Sequence, residues 1–168
     1  AIGAFGEQLT LIDLTGLSFG DLAEQARKIP RDSVIFFSTF FVDGRGRSFV
    51  PRDVLKLLSE ISEVPIFGSY ESYLGHGIVG GRLTSMMLQG KRAAQLGTMV
   101  LDGKSPGSIP FDDGRDTCIT AYDWRELRRW NIPESGLPPG SRVLYREATL
   151  WDLYRSYIIG VFSLIVVE

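Results

Sequence analysis

"VPIFGSYESYLGHGIVGG" (64–81) is the stretch on which the choice of fold turns. It opens on an apolar run and then spells G-x-G-x-x-G at Gly75, Gly77 and Gly80. The helix-like pattern RLTSMMLQGKRAAQLGTMVLDG (82–103) comes next. Strand, glycine turn and helix in that order are the layout of a dinucleotide-binding turn. That motif also needs a second strand closed by an acidic residue about 20 residues on. Here the helical pattern fills the interval, and Asp102 falls near the count but at a helix end, before Gly103. A kinase-type glycine loop fails too, because no strand lysine or catalytic loop follows. Gly90-Lys91 lacks the upstream glycine and the following Ser or Thr of a phosphate-binding loop. The glycines therefore read as a strand-to-helix turn. Gly75 and Gly77 allow a tight, left-handed path, while Gly80 and Gly81 let the helix start close to the sheet. A helix N-terminus at that point favours an anion such as a ligand carboxylate.

Outward from this turn the apolar period alternates. LTLIDL (9–14) reads as a strand. A helix follows over 18–29, with Ser18 as N-cap and Leu22, Ala26 and Ile29 on one face. DSVIFFSTFF (32–41) is nearly continuous apolar sequence, the pattern of a strand buried on both faces, with Phe36 and Phe37 in the core. A helix over 50–62 has Pro51 in its first turn and Val54, Leu55, Leu58 and Ile61 inward. VPIFGSY (64–70) is the next strand. The order β-α-β-α-β-α predicts an α/β fold, an open three-layer sandwich with a mainly parallel sheet. Ligands of such sheets bind beyond the carboxyl ends of the strands. After Gly103 come a loop (104–116), a strand over TCITAY (117–122), and a helix over 123–132 that Asp123 caps.

Composition narrows the function. The chain has 168 residues, 44% hydrophobic, which suits one domain with a real core. Charged residues are 23% and the net charge is -2, without the basic excess of a nucleic-acid binder. GRGR (44–47) and RELRR (125–129) read as solvated faces. The single cysteine, Cys118, permits no internal disulfide or cysteine metal site and reads as a buried strand thiol. His76, the single histidine, has no identifiable third group with which to make a Cys/His pair catalytic. No catalytic residue, metal or cofactor is expected. The C-terminal WDLYRSYIIGVFSLIVVE (151–168) is apolar and charge-free from Ile158 to Val167, preceded by Trp151, Tyr154, Arg155 and Tyr157. About ten such residues are half of what spans a bilayer. The aromatic flank nonetheless favours the start of a truncated transmembrane helix over a final core strand or amphipathic helix.

Four segments in order carry a family resemblance. They are IPRDSVIFFSTFFVDGRGRSFVPRDVL (29–55), VPIFGSYESYLGHGIVGGRL (64–83), QGKRAAQLGTMVLDGKSPGSIP (89–110) and YDWRELRRWNIPESGLPPGSRV (122–143). From about residue 9 to 150 the chain resembles the substrate-binding-protein-like sensor domains of bacterial sensor histidine kinases. These are related to ABC-transporter substrate-binding proteins of the type I periplasmic-binding-protein fold. The resemblance implies two α/β lobes clamping a small molecule, of which residues 1–150 are the second lobe. The N-terminal lobe would be its missing partner, and 151–168 the juxtamembrane segment. It further implies an extracytoplasmic (periplasmic) location between flanking transmembrane helices, and a homodimer at full length. The implied ligand is a small polar or amino-acid-like solute. Its expected contacts are Thr39, Phe41 and Asp43 after one strand, and Ser69, Tyr70, Glu71 and Tyr73 after the next, with Asp123 near the hinge. Gly75, Gly77, Gly80 and Gly81 would form the turn at the cleft edge. For Glu71 the alternative is a loop carboxylate paired with Arg82, and for the tyrosines core packing. A solute-binding component of an ABC-type transporter is the alternative function; a nucleotide-dependent enzyme is the third and weakest.

Overall fold

The computed structural model describes residues 9–147 and Tyr154. The expected membrane-directed run at 158–167 lies outside the described residues. No helix among the described residues is long and apolar enough to cross a membrane.

Local chemistry accounts for each element. Helix α1 (Phe19–Ala26) starts at Ser18, whose Oγ accepts from the Asp21 amide at 3.3 Å. Strand β1 (Ile35–Phe37) leads through a long loop to α2 (Pro51–Ile61), where proline opens the first turn and costs no hydrogen bond. Strand β2 (Ile66–Gly68) and strand β3 (Gly80–Thr84) follow. Helix α3 (Met86–Leu101) is capped by Ser85 and closed by Gly103 at φ 90°. Strand β4 (Cys118–Asp123) passes directly into α4 (Trp124–Arg129), and β5 (Arg142–Leu144) ends the regular structure.

β1 and β2 pair in parallel, Ile35 opposite Ile66. β3 and β4 pair antiparallel, with Gly80 opposite Tyr122 and Thr84 opposite Cys118, and β5 lies parallel to β4. The two sheets meet between β2 and β3. There the Val79 amide donates to Ile66 O at 2.7 Å, the Thr84 amide to Ser69 O at 2.8 Å, and Tyr70 bridges Thr84 in parallel sense. The architecture is α/β, an open arrangement whose strand pairs are mainly parallel, with β4 and β5 running opposite to β1, β2 and β3.

The core forms where α2 lies on β1, β2 and β3. Val54, Leu55 and Leu58 of α2 are buried with Phe37, Ile66 and Leu83, while Leu22 and Ala26 of α1 close one side. Each fully buried leucine contributes about 1.5–3 kcal/mol of transfer free energy. A second cluster gathers Val79, Tyr122 and Leu127.

Three expectations are corrected. Residues 9–14 form no strand: Leu9, Leu11 and Ile12 are exposed, and no edge among the described residues pairs with them. Alternation is only half of a strand, and the ladder partner is the other half. The run at 32–41 is not buried on both faces, since Phe36 is 68% exposed while Phe37 is in the core. Period-2 geometry turns these neighbours to opposite faces, and the outer one stays largely exposed. Finally, Gly80 and Gly81 open a strand and not a helix, and α3 starts at Met86. Their φ values of 132° and 136° are backbone that side-chain-bearing residues rarely adopt. A Cβ on Gly80 would lie 2.2 Å from Ala121 O, so glycine here permits the close approach of β4.

Candidate functional site

Parallel pairing brings the carboxyl ends of β1, β2 and β3 to one edge. Ser69 Oγ donates to Ser38 O at 3.2 Å and ties two of these ends together, while the Tyr70–Thr84 bridge ties the third. Thr39, just after β1, is exposed, as is Phe41 further along the loop, and Ser69, Tyr70 and Glu71 are half-buried. Glu71 starts a 3-10 turn (Glu71–Tyr73). It enters none of the ion pairs among the described residues, and Arg82 donates instead to Arg115 O at 3.0 Å. Beneath this edge the rings stack inward, Tyr70 on Tyr73 at 5.6 Å and Tyr73 on Phe37 at 5.4 Å, both edge-to-face. Tyr73 is only 5% exposed, so it supports the edge from the core. Phe40 packs in the same way with Phe19 and Phe49.

Asp43 lies further along the loop after β1, against the start of α1, and its carboxylate is already used. Oδ1 accepts from the amides of Arg45 and Arg47, each at 2.9 Å. Oδ2 accepts from Nε and Nη2 of Arg47 at 2.9 and 2.7 Å, and from the Phe19 amide at 3.3 Å. Burial alone would raise its pKa, yet these bonds together hold the carboxyl well below the usual carboxylate range. The group organises the 43–47 loop and has no lone pair left for a ligand.

Asp123 and the glycines lie elsewhere. β4 runs antiparallel to β3, so Asp123 falls beyond Gly80, and its amide donates to Val79 O at 2.9 Å. Four strand steps of about 3.3 Å, roughly 13 Å, separate that end from Thr84. The buried Asp123 carboxylate accepts from the Arg125 amide at 3.0 Å and from Arg125 Nε and Nη2 at 3.1 and 2.7 Å. The Asp123 bonds raise the Arg125 pKa against the opposing effect of burial. Gly75 and Gly77 share this far end: Cβ atoms on them would meet Tyr145 at 3.0 Å and Ser59 at 2.2 Å. A cavity of about 460 Å³ opens there, lined among others by Lys56, Glu60, His76 and Arg125. With β3 a strand, no helix begins at the glycines, and the anion site expected of them loses its basis. His76 and Cys118 also part company, since Cys118 pairs with Thr84 at the other end of β3.

The structure thus ties Ser38 to Ser69 and Tyr70 to Thr84 at this edge, with Thr39 and Glu71 next to them in the chain, and separates these residues from Asp123, Gly75, Gly77, Gly80 and Gly81. It adds Ser38, Thr84 and Ser85 to the edge. Their polar character was visible in the sequence, but Thr84 and Ser85 were hidden inside an expected helix. The arrangement offers hydroxyls, an aromatic face and one carboxylate, chemistry for holding a small polar molecule by hydrogen bonds and ring contact.

No family model matches this chain, and no curated protein matches it. A solved structure from Vibrio cholerae O1 biovar El Tor str. N16961, described as a conserved domain protein, is similar to it with a TM-score of 0.54 at 18% identity. The likeness covers 84% of this chain and 47% of that one, so the chain spans about half the length of that protein. At this identity the likeness establishes the α/β fold alone.

Proposed function

We propose that this chain is one lobe of a two-lobe solute-binding sensor, with the ligand held at the edge formed by Thr39, Ser69, Tyr70 and Glu71. The observation that carries the reading is helix α3. It leaves the sheet from that same edge, directly after Thr84, and none of its 16 residues is buried. Met86, Met87 and Leu101 stand exposed along it. A helix of this length gains most of its stability from packing. A second lobe that covers α3 would also close over the strand ends beside it. A neighbour of similar fold and about twice the length is consistent with such a partner.

Ligand binding would then work by population shift: contacts made only in the closed arrangement favour closure. The apolar run at 158–167 supports a membrane-anchored sensor, with closure passed through 151–157 to a histidine kinase downstream and the lobes on the extracytoplasmic face. A solute-binding component of a transporter is the second reading, and a reporter-fusion topology map separates the two by finding or not finding a span after residue 157.

The direct test is thermal shift on the full-length protein with a panel of amino acids and small polar amines. A ligand that binds the folded state raises the midpoint. Glu71→Gln and Tyr70→Ala should abolish that rise. Absence of any rise across the panel, or a rise indifferent to both substitutions, defeats the assignment of this edge.

A further inference from the structure

We infer that Tyr145 is a releasable latch that fastens the segment after β5 to the turn at Leu74 and Gly75. The purpose of the latch rests on the sensor reading above, whereas its existence is read from this chain alone. Tyr145 follows β5 directly and has φ 58°, left-handed backbone that strains a residue bearing a side chain. Three attachments hold it there. Its hydroxyl donates to Leu74 O at 3.3 Å. Its ring lies under the Arg125 guanidinium, 4.7 Å from the centroid, and Arg125 is fixed by the buried Asp123. Its edge fills the space over Gly75, where a Cβ would come within 3.0 Å of both Cζ and the hydroxyl. Gly75 is the seat that the ring needs.

These attachments are modest and partly solvated, since Tyr145 remains 47% exposed. An exposed cation–π contact and one neutral hydrogen bond are of the same order as the backbone strain that opposes them. The next residue adds little, because Arg146 pairs with Glu134 where both are exposed. The latch is closed by a small margin, so a small displacement of its seat can open it. That seat is joined to the candidate edge: the Leu74 amide donates to Glu71 O at 3.1 Å, while Leu74 O receives the Tyr145 hydroxyl. Movement of the 71–73 turn on ligand contact therefore reaches Tyr145 through one residue.

Amide hydrogen exchange on the 168-residue chain tests this. Tyr145→Ala should speed exchange at residues 144–147 by about tenfold or more, leaving β3 and β4 protected. Gly75→Ala should do the same with Tyr145 intact, by pushing the ring off its seat. Tyr145→Phe should give a smaller effect at the same amides and serves if the alanine variant does not fold. Spin labels on Lys56→Cys and Glu147→Cys in a Cys118→Ser background should show a distance distribution that broadens with Tyr145→Ala. Unchanged exchange at 144–147 in all three variants overturns the latch. So does protection lost together across β3, β4 and 144–147, which would make Tyr145 a part of the global fold. Failure of every candidate ligand in the thermal shift, with these local effects present, removes the sensor reading and leaves the latch.

Discussion

Arg47 wraps back on Asp43, four residues earlier, and gives one carboxylate oxygen two guanidinium hydrogen bonds at 2.9 and 2.7 Å. The Asp43 side chain is fully buried while that of Arg47 is more than half exposed. An i,i+4 pair on a surface is usually worth little. This one differs because the same carboxylate also takes three main-chain amides, from Phe19, Arg45 and Arg47. It fastens the loop to the start of α1.

Asp43→Asn should therefore lower the thermal midpoint near neutral pH more than the same change at Asp113, whose ion pair with Arg115 is exposed. The pH dependence follows from a folded pKa held below the unfolded value of about 3.9. The stabilisation is complete above that unfolded value and is lost as pH falls through the folded one. Melting curves between pH 7 and 2 should show wild type and Asp43→Asn converging below about pH 4. A gap that stays constant over that range contradicts the assignment.

Gly80→Ala should disrupt the β3–β4 pairing. The added Cβ meets Ala121 O at 2.2 Å and Tyr122 Cα at 2.6 Å, both backbone, at φ 132°. Strain and overpacking together cost on the order of 3 kcal/mol in urea denaturation. Gly81→Ala meets nothing within 4 Å and carries the backbone strain alone, so it should cost less. Equal losses at the two positions would mean that close strand approach is not what Gly80 provides.

Leu83 is fully buried in the main core, and Met87 on α3 is 75% exposed. Leu83→Ala should destabilise this chain by about 2–5 kcal/mol. Met87→Ser should stay within about 0.5 kcal/mol. In a protein that carries the proposed second lobe, the same Met87 change should weaken that lobe's association, read as a larger loss of midpoint there than in this chain alone.

Glu71→Gln should leave the stability of this chain in urea within about 0.5 kcal/mol of wild type, because Glu71 enters none of the ion pairs among the described residues. Any structural loss beyond that would place Glu71 among the residues that hold the fold and count against a ligand role.

Much of the local structure was legible. Ser18 and Asp123 cap the helices that they were expected to cap, Pro51 opens α2, and Val54, Leu55 and Leu58 form its buried face. Gly75 and Gly77 have φ values of 83° and 107°, and so adopt the left-handed backbone expected of them. That Thr39, Ser69, Tyr70 and Glu71 stand just past strand ends was legible, because they follow closely on recognisable strands. The Arg125–Tyr145 stack was not, since the two residues are 20 apart and meet only when β5 lies beside β4.

Periodicity, caps and glycine placement are local properties, and by themselves they determined helices α1, α2 and α4 and the face that α2 buries, but not the strand at Gly80–Thr84 or the lack of one at 9–14. Direction and partnership are not local. Only strand pairing decided that β4 runs backwards, which carries Asp123 and the glycine turn to the end of the sheet away from Tyr70 and Glu71. Only the folded loop decided that the Asp43 carboxylate is filled by its own chain, while that of Glu71 enters none of the ion pairs among the described residues. The physical reason is common to both. A hydrogen-bonding group is identified by its residue type, but what satisfies it depends on which distant segment arrives beside it.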